Sequence, residues 1–89
     1  MKHAGPAALD TIDDLLGRIR AHASLSERKR GTFYRKSSAF LHFHEDPAGM
    51  FADLKVAGEF QRFRVSTRKE QSDFLKQLAA ALGDTRGSA

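Results

Sequence analysis

The chain has no cysteine, which excludes disulfides and thiolate metal sites together. This agrees with a reducing cytoplasm, and a cytoplasmic location is expected. No apolar run approaches the ~20 residues of a membrane-spanning helix, so no membrane partner is expected. Lys2 is not followed by a long apolar region, so no secretory signal is read. There is no internal repeat and no low-complexity segment. A Gly-rich phosphate loop and a nucleophile in a strained elbow are both missing, which argues against the enzyme classes built on them.

What remains is enough for one domain. The 89 residues are 40% apolar, which suits a single core between two layers. Fifteen basic residues against 11 acidic ones give a formal charge of +4. That mild excess favours anionic partners at low salt but is satisfied by a solvated basic surface. Residues 1–8 read as a flexible leader in which His3 has no consequence, residues 9–83 as one α+β domain, and residues 84–89 as a flexible tail.

Two helices are expected. The first begins near Asp10 or Thr11, where Thr11 and Asp14 form a variant capping box. Ile12, Leu15, Leu16, Ile19 and Ala23 then share one face. The second begins at the capping box Thr67-Arg68-Lys69-Glu70, carries the stripe Phe74, Leu75, Leu78 and Leu82, and ends at Gly83. The charged connector from Ser24 to Arg30 reads as a solvated loop.

Between the helices, apolar and polar residues alternate through four runs: Thr32–Lys36, Ala39–Glu45, Met50–Val56 and Glu59–Ser66. Burial selects the register of the central hairpin. Pairing Glu45 with Met50 sets Phe43 against Ala52 and Leu41 against Leu54, whereas a slip of one residue would set His42 and His44 beside Leu54 and Ala52. The turn Ala57-Gly58 then pairs Val56 with Glu59 and Ala52 with Phe63. The architecture is α+β, of order α-β-β-β-β-α, an antiparallel meander with two helices packed on one face.

The other face follows from that choice. Its rows are Phe40–Lys55–Phe60, His42–Asp53–Arg62 and His44–Phe51–Arg64, with Tyr34 on the first strand. A purely solvated face would not need three phenylalanines, so this surface is read as the binding face.

The stretch Phe33-Tyr34-Arg35-Lys36-Ser37-Ser38-Ala39-Phe40 and the later strand Leu54-Lys55-Val56, set between two helices, resemble the small bacterial YjbR/MmcQ-like proteins over about Thr11 to Leu82. The resemblance implies a frataxin-like layout, two helices over one antiparallel sheet. It implies little about activity, since the family's role is poorly defined and nucleic-acid binding has been suggested for some members.

The face has four candidate uses. A homodimer or another protein partner, burying Phe40, Phe51 and Phe60, ranks first. Nucleic-acid binding would stack bases on Tyr34, Phe40, Phe51 and Phe60 and meet phosphates with Arg35, Lys55, Arg62 and Arg64. A metal site would use His42 and His44, roughly 7 Å apart by strand rise, with Asp46 as the nearest third ligand and Asp53 orienting His42. No distal histidine or cysteine is read as completing that set. A general acid–base role for His42 with Asp53 ranks last on so open a surface, so no enzyme activity and no cofactor are expected.

Overall fold

Alternation makes the middle of this chain a sheet. The computed structural model describes residues 1–83, and the expected tail at 84–89 lies outside the described residues. In chain order the elements are β1 (Lys2–His3), α1 (Pro6–Asp10), α2 (Asp13–Arg20), β2 (Leu25–Lys29), β3 (Thr32–Arg35), β4 (Ser38–Asp46), β5 (Gly49–Val56), β6 (Glu59–Arg64) and α3 (Arg68–Ala81). The fold is α+β, with an antiparallel sheet of order β2-β3-β4-β5-β6 and β1 paired to β4.

The meander has the register that burial selects. Glu45 faces Met50, Phe43 faces Ala52 and Leu41 faces Leu54, while Ala52 faces Phe63 and Val56 faces Glu59. Asp46 tightens the first turn by accepting a hydrogen bond from the Ala48 amide (3.0 Å). Ala57 and Gly58 both have positive φ (53° and 86°), as a two-residue hairpin loop matched to strand twist requires.

Two strands lie where none was expected. The charged connector contains β2, an edge strand pairing Ser26 with Tyr34 and Glu27 with Phe33. Its charges suit an edge, where like-charged side chains discourage pairing with other chains. Glu27 is held there by Arg20 (2.6 Å) and accepts from the Gly31 amide (2.9 Å). The expected leader supplies β1. Lys2 pairs with Glu45 and His3 with His44, on the stretch of β4 edge that β3 leaves uncovered. The Ala4 amide donates to the Phe43 carbonyl (3.0 Å) and the Gly5 amide to Glu45 Oε2 (2.7 Å).

The first helix is earlier and broken. Pro6 opens α1, as its preset φ favours. Thr11 is not an N-cap but closes α1: its hydroxyl donates to the Ala8 carbonyl (2.6 Å), and α2 starts after Ile12. By contrast α3 begins as read, with the Glu70 amide donating to Thr67 Oγ1 and the Thr67 amide to Glu70 Oε1.

Leu15, Leu16 and Ile19 of α2 and Phe74 and Leu78 of α3 pack with Phe33, Leu41, Phe43, Ala52 and Leu54 in one buried cluster. Each such large apolar side chain contributes about 1.5–3 kcal/mol by leaving water. Phe40 belongs to this core too, at 5% exposure, and not to the opposite face. The cause is a β-bulge. Phe33 pairs with Leu41 but Tyr34 pairs with Ala39, so Phe40 is the extra residue and the alternation is broken there. The guanidinium of Arg35 lies 5.7 Å from the Phe40 ring centre and donates to the carbonyls of Ala81 and Leu82 at the end of α3.

Candidate metal centre

The helix-free face is organised around one carboxylate. Asp53 faces His42 on β4 and Arg62 on β6 and is only 8% exposed. Arg62 grips it with two parallel bonds, Nε to Oδ1 (2.8 Å) and Nη2 to Oδ2 (2.9 Å). This pairing holds the Asp53 carboxyl below the usual carboxylate range against the opposing effect of burial. The ionised carboxylate can only accept hydrogen bonds.

Its Oδ2 lies 3.1 Å from His44 Nε2, and His42 Nδ1 lies 3.0 Å from the same nitrogen. The network therefore assigns the His44 hydrogen to Nε2, shared between Asp53 and a bare His42 Nδ1. His44 Nδ1 is buried without a hydrogen-bond partner. Asp53 thus orients His44, and not His42 as the pattern suggests. Burial, aided by His44, His3 and Arg62 and opposed by Asp53, pushes the His42 pKa down from 6.5 and keeps this ring neutral at pH 7.

His3 completes the group. Its ring centre lies 4.6 Å from that of His44 and 5.7 Å from that of His42. The ligand atoms of His3, His42 and His44 all lie within 4.8 Å of one another. His3, read from the sequence as inconsequential, is thus the third member of a group that could hold a metal ion. Asp46 is not the third member, because it serves the turn.

Other expected face residues divide. Phe60 is 45% exposed, 5.0 Å from the His42 ring and 5.4 Å below the Lys55 ammonium. Phe51 is half-buried between His44 and Arg64 in the cross-strand row. Tyr34 is covered by the Arg28 guanidinium at 4.3 Å. Arg64, on the edge strand, reaches Glu70 at the start of α3 (3.3 Å) and stays apart from the histidines.

Three imidazoles on two strands suit a borderline transition ion such as Zn²⁺, Co²⁺ or Ni²⁺. Metal–nitrogen bonds of about 2.0–2.1 Å in a tetrahedral arrangement need nitrogens about 3.4 Å apart, so the rings would close by roughly an ångström. The carboxylate behind His44 is the partner that metal-bound imidazoles commonly have. No protein-family model, curated protein or solved structure matches the chain.

Proposed function

We propose that this is a small metal-binding domain whose helix-free sheet face holds one divalent transition ion through His3, His42 and His44. The observation that carries the reading is the convergence of three imidazoles within 4.8 Å from segments some forty residues apart. The Arg62–Asp53–His44 chain supports it, because it orients one ligand and leaves a buried lone pair unpartnered. A homodimer through this face has less support. Phe40 lies in the core, which leaves Phe60 as the exposed large apolar side chain of this face. Nucleic-acid stacking loses Phe40 to the core and Tyr34 to Arg28.

Titration of tag-free protein with Zn²⁺ or Co²⁺, followed by calorimetry, tests the proposal. One equivalent should bind. His3→Ala, His42→Ala and His44→Ala should each weaken binding more than Asp53→Asn, whose loss should be about 10–100-fold. Stoichiometric binding that is indifferent to His3→Ala, or no binding at all, would reject the site.

A further inference from the structure

We infer that the metal-loaded cluster takes a phosphate group as its outer ligand, with Lys55 and Arg62 as the flanking cations. This rests on the metal reading above. Three histidine ligands leave a tetrahedral ion one position for an exogenous donor, and among the described residues no helix covers this side of the sheet. The charges around that position are unbalanced. Asp53 is matched by Arg62, and the Lys55 ammonium makes no salt bridge among the described residues, so a divalent ion would add to positive charge that is already unpaired.

Arg62 is placed for a second contact. Its Nε and Nη2 are spent on Asp53, its side chain is 49% exposed, and Nη1 makes no hydrogen bond among the described residues. It stands two hydrogen bonds from the cluster, through Asp53 Oδ2 to His44 Nε2. A tetrahedral oxyanion can place one oxygen on the ion and another on a guanidinium N–H, a geometry that suits arginine. The exposed Phe60 ring, between His42 and Lys55, offers an apolar wall to whatever the phosphate is attached to.

The test uses Co²⁺ as a visible probe. Full-length protein carrying one equivalent of Co²⁺ is titrated with inorganic phosphate, phenyl phosphate and acetate while the d–d absorption is followed. Saturable change with both phosphates supports the inference, and tighter binding of phenyl phosphate, lost in Phe60→Ser, identifies a phosphomonoester over free phosphate. Lys55→Gln should weaken phosphate about 2–5-fold, the scale of an exposed ion pair, and Lys55→Glu should weaken it further, with the cobalt spectrum retained in both. A cobalt spectrum that forms but ignores phosphate overturns this inference and leaves the metal site standing. Absence of any cobalt spectrum removes both. Phosphate binding of equal strength without cobalt, or undiminished by Lys55→Glu, also overturns it.

Discussion

Asp53 is the residue on which the face depends. Its carboxylate is nearly buried, ionised, and shared between Arg62 and His44, with His42 bonded to the same histidine. Because the folded pKa is depressed, its stabilising contribution is fully present above the ordinary value of 3.8 and is lost as pH falls through the lower folded value. Urea midpoints measured from about pH 5 down to about pH 2 should therefore fall more steeply for the native protein than for Asp53→Asn. Parallel curves would mean that the carboxylate is not stabilised on folding. Individual residues were unevenly legible. The outward aim of His42, His44 and Asp53 follows from parity and the need to bury Leu41 and Phe43. The inward turn of Phe40 does not, because strict alternation back from Leu41 aims Phe40 outward, and the adjacent pair Phe40-Leu41 does not by itself reveal the bulge that buries both.

Elements were legible in proportion to how much pattern they carry. The α3 start was plain because its cap is a four-residue chemical signature, and both reciprocal bonds are present. Thr67→Ala should cost about 0.5–2 kcal/mol, read as a shift in chemical-denaturation midpoint. No shift would show that the start of α3 is held by packing alone. The strands β4, β5 and β6 were legible because each is long enough to alternate several times. The two-residue β1 cannot show a period, and what defines it is a gap on a distant strand edge. β2 looks like a charged loop because an edge strand with one open side tolerates Glu27, Arg28 and Lys29. The site was half visible for the same reason: two ligands sit on a patterned strand and the third on an unpatterned one.

At the scale of the whole molecule, the proposed ion binding would be coupled to folding. The three histidines meet only when β1 is docked on β4, so the ion favours the folded chain over the unfolded one. With free ion at 100 times Kd the added stability is about 2.7 kcal/mol. Melting followed by circular dichroism should shift to higher temperature with Zn²⁺ in the native protein and not in His44→Ala. Equal shifts in the two would place the ion elsewhere. Amide exchange at His3 and Ala4 should slow in the same experiment, since these are the residues the ion would clamp.

The pairing of β1 with the far end of β4 also sets an order of events during synthesis. Residues 2 and 3 leave the ribosome well before the partners that give His3 its place, which are made some forty residues later. A nascent chain therefore cannot assemble the trio of imidazoles until the hairpin is out and paired. Capture of the proposed ion would then be a late step, open to the folded domain and closed to chains that stop short of β4.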